Sequence, residues 1–256
     1  FVVLACALAG LAGCYQFNNP VDPGSPDYQG GSTEPGWLDG WTYRKQFRVD
    51  NGSSQSLNGH AVRIDLFWGQ GTDAGRAVYL GGGAESDFSD VRFTGSDGQT
   101  VLSWWVQEQT DGTDAVAWIK VPYAAASDSV DLCLYYGDTE ASSTSSGPAT
   151  FLLFDDFEAG GIDNGMWMGH LKPSDPNGWW IDGGSARCEN DGKLLYCQSD
   201  FVDAEVLASA SLGSMTNGFL VLRGDALSTP DPLGDRYDLY FDKTNGGVAV
   251  REVTSS

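Results

Sequence analysis

The chain has 256 residues, with 14 lysines and arginines against 35 aspartates and glutamates, so its formal net charge is −21. Such a chain lacks the clustered cations that bind a phosphate backbone or an anionic lipid surface, which argues against nucleic acid as a partner. With 41% hydrophobic residues it is too apolar for disorder, and its 34 glycines and 10 prolines are typical of a turn-rich β protein. The length allows one or two domains.

An apolar run opens the chain and ends in small residues directly before a cysteine. Residues 1–13 are too short to span a bilayer and have the size of the hydrophobic part of a signal peptide, here truncated at its start. The sequence Leu-Ala-Gly-Cys at 11–14 resembles the lipobox of bacterial lipoproteins. The resemblance implies cleavage before Cys14, acylation of its thiol and attachment to the lipid bilayer, and Tyr15 in place of an acid favours the outer membrane. The alternative is a buried core helix in which Cys14 is an ordinary small hydrophobe.

A tether and a first folded unit follow the cysteine. Residues 14–40 are rich in Pro, Gly, Asp, Asn and Ser, which predicts a flexible tether. Over 41–140 apolar residues alternate with polar ones, and Asn-Gly and Asp-Gly turns separate the runs, which predicts a sandwich of antiparallel sheets. In one run Tyr43, Lys45, Phe47 and Val49 share a face; in another Val62, Ile64 and Leu66 do.

Four blocks of this unit resemble the bacterial "domain of unknown function 2341". They are WTYRK at 41–45, DVRFTGSDGQTVLSWWV at 90–106, AWIKVP at 117–122 and LCLYYGD at 132–138. The resemblance implies a β-sandwich in an exported protein, often beside laminin-G-like domains and sometimes beside a proton-channel subunit of the TolQ/ExbB type. It implies no reaction and no catalytic residue.

A second unit is predicted over 151–256, after a Ser/Thr linker at 141–150. The opening LFDDFE at 153–158 and the later RYDLYFD at 236–242 resemble concanavalin-like, laminin-G-like jelly rolls. Such domains are usually longer, so we expect this one to be incomplete at its C-terminus. The predicted fold class is therefore all-β, with two antiparallel sandwich domains in tandem.

Spare aromatic residues are the candidates for ligand binding. Trp104 and Trp105 are adjacent in a predicted strand, so they point to opposite faces and only one of them can fill the core. Trp118 alternates in the same way, and an outward ring beside Gln107 or Lys120 could stack on a sugar or grip a partner protein. Trp179 and Trp180 form a second pair. The alternative is that both sheet faces are covered and all these rings are structural.

Calcium is the one cofactor for which the sequence offers candidate ligands. Jelly rolls often hold one calcium ion, and the carboxylates available for it are those of Asp155, Asp156, Glu158 and Asp163, which could equally be a solvated acidic surface. No zinc site is expected from His60 and His170, which lie in different units.

A glycosidase would need two carboxylates on one strand face. Asp203 and Glu205 have that spacing but lack the third acid and the hydrophobic frame of jelly-roll glucanases, so we do not expect an enzyme.

The remaining cysteines suggest one disulfide. Cys188 and Cys197 flank a predicted hairpin turn, where cross-strand residues come within disulfide reach, and an exported compartment permits the bond. Cys133 lies between leucines in a predicted strand, where we expect a buried, inert thiol.

These features favour a lipoprotein of the bacterial outer membrane or cell surface that binds glycan or another envelope component without catalysis. An alternative is an envelope-assembly component that acts only through proteins and is associated with TolQ/ExbB-type channel subunits. A glycoside hydrolase is a third hypothesis.

Overall fold

The structure is a computed structural model that describes residues 5–7, 36–158, 161–162, 165–189, 193, 195–197, 205–207, 217–222, 236–242 and 247–253. The chain divides into two compact units, Val2–Ala208 and Ser209–Ser256. Strands dominate both units, which confirms the predicted all-β class. The boundary between the units lies inside the predicted second domain, and the domain limits drawn from the sequence stay predictions.

The described elements of the larger unit are thirteen strands and one short helix. In chain order they are β1 (Ala5–Ala7), β2 (Tyr43–Asp50), β3 (Leu57–Phe67), β4 (Ala77–Tyr79), β5 (Arg92–Gly95), β6 (Trp104–Thr110), β7 (Asp114–Ala124), β8 (Ser129–Tyr136), α1 (Gly147–Thr150), β9 (Met168–Gly169), β10 (Trp180–Ile181), β11 (Ala186–Arg187), β12 (Leu195–Tyr196) and β13 (Glu205–Leu207).

Seven of these strands build a sandwich. One sheet has three strands in the order β2-β8-β5, and the other has four in the order β4-β3-β7-β6. All pairs are antiparallel except β3 with β4. These two strands run parallel, because the loop 68–76 leads the chain back from the end of β3 so that Ala77 pairs with Asp65. A hydrophobic core lies between the two sheets.

The alternation in the sequence fixes which side chains enter this core. On β2 the side chains of Lys45, Phe47 and Val49 are buried, whereas Gln46 and Arg48 between them are exposed. Strands β3, β7 and β8 add alternating apolar residues to the same cluster. The shared faces predicted for β2 and β3 are confirmed, and Lys45 is enclosed on the inner face of β2 as its position in the pattern requires.

The segment after β8, which we call the strap (residues 141–154), lies along the edge strand β6. The amide of Ser146 donates to the carbonyl of Trp104 (2.8 Å), and the amide of Val106 donates to the hydroxyl of Ser145 (2.9 Å). Helix α1 lies within the strap, and the Nζ of Lys120 on β7 donates to the carbonyl of Ala149 (3.2 Å). The strap thus satisfies polar groups that an open sheet edge would leave unpaired.

The chain enters the sandwich against the outer face of the three-stranded sheet. The carbonyl of Gly36 accepts hydrogen bonds from Nη1 of Arg44 (3.1 Å) and from the hydroxyl of Tyr135 (3.1 Å). The ring of Trp37 is buried there, with the Arg44 guanidinium 4.4 Å from its centroid. Residues 36–41 are therefore fixed to the face opposite the four-stranded sheet.

The rest of the described chain forms small antiparallel sheets. In the larger unit β9 pairs with β12, β10 with β11, and β1 with β13, so that a part of the predicted signal peptide runs beside Glu205–Leu207. In the unit Ser209–Ser256 three strands, β14 (Asn217–Leu222), β15 (Arg236–Asp242) and β16 (Gly247–Val253), form one sheet in that order. The jelly roll implied for 151–256 stays a prediction. No helix among the described residues is both long and apolar enough to cross a membrane.

Candidate binding surface

Trp104 and Trp105 point to opposite faces of β6, as predicted, and both are covered. Trp104 is fully buried between the sheets, where its ring meets Phe93 edge-on at 5.6 Å. Trp105 lies on the outer face, but Phe151 and Phe154 of the strap pack on it with centroid distances of 5.6 and 4.8 Å. The structure therefore places neither ring where it could stack on a ligand.

Trp118 is the candidate that keeps part of its surface accessible on the outer face of the four-stranded sheet. It stands beside Trp105 in the β6–β7 register, and its ring contacts Phe151 edge-on at 5.8 Å. Its Nε1 donates to Oε1 of Gln107 (2.8 Å), a residue at the bulge in β6. One edge of the indole is thus fixed by packing and its nitrogen by a hydrogen bond, while the side chain stays half-buried.

Two arginines and one aspartate adjoin this tryptophan on the same face. Arg63 pairs directly with Trp118 in the β3–β7 register, and its Nε donates to Oδ1 of Asp65 (2.7 Å). The Nε of Arg76, just before β4, lies 3.5 Å from Oδ2 of the same carboxylate. We call the set of Arg63, Asp65, Arg76, Gln107 and Trp118 the platform. The side chains of Arg63, Asp65 and Arg76 are 35%, 22% and 52% exposed, so solvent and ligand reach all three.

The second tryptophan pair lies in the smaller sheets after the strap. Nε1 of Trp179 donates to the carbonyl of Lys193 (3.3 Å), and the ring packs in a cluster around Phe157 and Trp167. Trp180 on β10 is half-buried, with the Nζ of Lys172 3.8 Å from its ring centroid. The structure does not bring this pair next to Trp118 in any described contact.

Two of the acidic residues considered for calcium, Asp155 and Asp156, accept hydrogen bonds from neighbouring groups of the chain. Asp155 is buried: its Oδ1 accepts from the amide of Phe157 (2.7 Å) and its Oδ2 from Nε1 of Trp167 (2.5 Å). Asp156 accepts from the amide of Glu158 (3.1 Å). Asp163 lies outside the described residues. Within the described part of the chain, no three His, Cys, Asp or Glu side chains come together as metal ligands.

The predicted disulfide between Cys188 and Cys197 is not formed in this structure, where both residues are thiols. The physical reason is strand pairing: β11, next to Cys188, pairs with β10, and β12, next to Cys197, pairs with β9. The two cysteines therefore do not face each other across one hairpin as the sequence suggested. Cys133 is buried as predicted, and burial raises the pKa of its thiol.

Three candidate residues besides Asp163 cannot be compared with a described side chain. Cys14 and Asp203 lie outside the described residues, and Glu205 is described only as part of strand β13. The lipid anchor and the carboxylate pair considered for glycoside hydrolysis therefore stay as they were predicted.

A buried ion pair is the main feature that sequence reasoning missed. The Nζ of Lys45 donates to both carboxylate oxygens of Asp73, at 2.9 and 3.2 Å, and also to the carbonyl of Tyr79. The alternation of β2 signals that Lys45 faces inward. Nothing in the glycine-rich loop that carries Asp73 marks it as the partner, because loop residues have no such periodicity.

Comparison with known proteins finds a family match over about a third of the chain. Residues 87–170 match the family described as "Domain of unknown function (DUF2341)". The match covers the stretch from just before β5 through β8 and the strap, so it includes Gln107 and Trp118 but not the two arginines of the platform. No curated protein and no solved structure matches the chain.

Proposed function

We propose that the protein is a non-catalytic binding module, held at the bacterial outer membrane by acyl chains on Cys14, which recognises carbohydrate through the platform. The observation that carries the proposal is the half-buried indole of Trp118, which packs against the aromatic cluster of Trp105 and Phe151 on one side and has polar neighbours on the other. An aromatic ring offers an apolar surface to the C–H groups of a sugar, while neighbouring polar groups bond its hydroxyls. Gln107 provides an amide group bonded to the indole nitrogen, and Asp65 provides a carboxylate bonded to Arg63, the cross-strand partner of Trp118.

The arrangement of the sandwich supports presentation of this face. Residues 36–41 are bonded to the outer face of the three-stranded sheet, through Gly36, Arg44 and Tyr135. The platform lies on the outer face of the other sheet, with the core between them. The first described residue after the predicted tether, Gly36, thus lies on the opposite side of the sandwich from Trp118.

Carbohydrate binding is tested by affinity electrophoresis of the purified protein through gels that contain a panel of soluble polysaccharides. We expect retardation by at least one polymer, and we expect Trp118→Ala to lose it because the stacking surface is removed. Tyr123→Ala is the matched control, since Tyr123 is an exposed aromatic residue on the same strand β7 outside the platform.

Two results would contradict the proposal. One is the absence of any retardation across neutral and charged polymers. The other is retardation that Trp118→Ala leaves intact while its thermal unfolding shows a folded protein. A loss in Trp118→Ala that is matched by Tyr123→Ala would also exclude the platform as the site.

A further inference from the structure

We infer that the carbohydrate bound at the platform is an anionic polysaccharide whose carboxylate or sulfate groups are held by Arg63 and Arg76. The inference rests on the proposed function, because it assigns a ligand class to the same surface. Its starting point is the local balance of charge. The platform holds two guanidinium groups against one carboxylate, in a chain where acidic residues outnumber basic ones by 35 to 14.

The second observation is how the arginines use their donors. Arg48 on the opposite outer face binds Asp131 with both Nε and Nη2, at 2.7 and 3.1 Å, which is the two-point pairing of guanidinium with carboxylate. Arg63 donates to Asp65 through Nε alone, and the nearest atom of Arg76 to that carboxylate is again Nε. The Nη groups of the two platform arginines are not used in the ion pair with Asp65, so an added anion would meet guanidinium donors there.

The third observation is position. Arg63 and Trp118 are direct cross-strand partners, and the side chains of such partners lie roughly 5 Å apart at Cβ. This is about the width of a pyranose ring. A sugar stacked on Trp118 would therefore place a carboxylate or sulfate substituent beside the guanidinium of Arg63. A neutral sugar would leave both guanidinium groups without an anionic partner other than Asp65.

The test compares three polysaccharide probes. Together they distinguish binding of the anionic groups from binding of the sugar chain itself, and binding of carboxylate from binding of sulfate. The probes are polygalacturonate, the same polymer with its carboxyl groups chemically reduced to alcohols, and dextran sulfate. We expect one or both anionic polymers to bind, and the reduced polymer to bind at least about 10-fold more weakly. Arg63→Gln and Arg76→Gln should each weaken anionic binding several-fold, and binding should fall as salt is raised because the groups are exposed.

Two matched variants isolate the platform from the net charge of the chain. Arg48→Gln changes the net charge by the same amount as Arg76→Gln and also breaks one ion pair, but on the other outer face, so it should leave the affinity unchanged. Glu108 is exposed at the rim of the platform face, where it is the cross-strand partner of Val116. Glu108→Gln removes its carboxylate and should strengthen the binding of anionic polymers.

The outcomes distinguish this inference from the proposed function. If the reduced polymer binds as tightly as polygalacturonate and Trp118→Ala abolishes both, the platform binds carbohydrate but the preference for anions is refuted. Equal losses in Arg48→Gln and Arg76→Gln would also refute it, because net charge would then explain the effect. If none of the three probes binds, this inference is refuted, whereas the proposed function is refuted only if the whole polysaccharide panel also gives no retardation.

Discussion

At the scale of single residues, the buried ion pair Lys45–Asp73 is expected to have a large effect on stability. The two side chains are 2% and 6% exposed, and they belong to different sides of the sandwich: Lys45 to β2 and Asp73 to the loop that leads into β4. The carboxylate also accepts from the amide of Tyr79 (2.8 Å), so the pair ties the edge of one sheet to the other. An enclosed charge is tolerable only while its partner is present.

We predict that Asp73→Asn lowers the free energy of unfolding by about 3–5 kcal/mol, because it removes the carboxylate that contacts the enclosed ammonium of Lys45. The double variant Lys45→Met, Asp73→Asn should recover more than half of that loss, since no charge remains and the amide oxygen can still accept from Tyr79. Urea unfolding of the three proteins measures both effects.

The exposed pair Arg48–Asp131 provides the control for this prediction. Its side chains are 47% and 54% exposed, and solvent screens their attraction, so Asp131→Asn should cost far less than Asp73→Asn. If Asp73→Asn and Asp131→Asn lose equal stability, or if the double variant recovers none, the burial of Lys45 does not explain the loss of stability in Asp73→Asn.

This pair also marks the limit of what the sequence can predict at the residue scale. A period of two assigns Lys45 to the inner face and Arg63 and Trp118 to outer faces without knowledge of the fold. It cannot tell that Arg63 stands next to Trp118, because that depends on the register between β3 and β7, 55 positions apart in the chain. The platform is therefore a product of non-local pairing, whereas the faces that it uses are predictable.

At the scale of elements, the strap departs most from its sequence pattern. Its Ser, Thr, Gly and Pro content predicts a linker, yet the same hydroxyl groups serve as acceptors for the sandwich. Thr144 accepts from Nε1 of Trp104 (3.0 Å) and Ser145 from the amide of Val106 (2.9 Å). A segment of small polar residues is a free linker only when no hydrogen-bond donor of the folded body is near. Strand β6 supplies two such donors, the indole nitrogen of Trp104 and the amide of Val106. The family match extends through this segment as well.

We predict that Phe154→Ala destabilises the protein by about 3–5 kcal/mol, the usual cost of truncating a buried phenylalanine, and loosens the strap. Phe154 is buried against Trp105 and stacked with Phe151, so its loss should also speed hydrogen exchange at the amides of Val106 and Ser146. Exchange followed by mass spectrometry, together with urea unfolding, measures the two consequences.

Leu152→Ala is the matched control, because Leu152 lies on the same strap but its side chain is largely exposed. It should change neither the unfolding free energy nor the exchange of β6 appreciably. Similar behaviour of Phe154→Ala and Leu152→Ala would show that the strap is not held by its aromatic contacts with the sandwich.

At the scale of the whole molecule, the charge of −21 bears on how the protein would stay at a membrane. Anionic lipid surfaces attract clusters of lysine and arginine, and this chain has the opposite sign, so electrostatic binding to a bilayer is unfavourable. Attachment would then have to come from acyl chains, several of which on one cysteine anchor stably where a single chain is marginal. A salt wash separates these two mechanisms, since screening weakens only the electrostatic one.

We therefore predict that the protein, expressed from its complete gene in bacterial cells fed labelled palmitate, carries the label and stays in the membrane fraction after a wash in 1 M salt, where the Debye length is about 3 Å. Cys14→Ser should abolish the label and release the protein, because its thiol is the proposed acceptor. Cys6→Ser is the matched control: this residue lies within the predicted signal peptide, so its substitution should change neither result. Labelling that persists in Cys14→Ser, or release of the unsubstituted protein by salt, would refute the anchor. The proposed carbohydrate binding at the platform would be unaffected by that result, because it has a separate test.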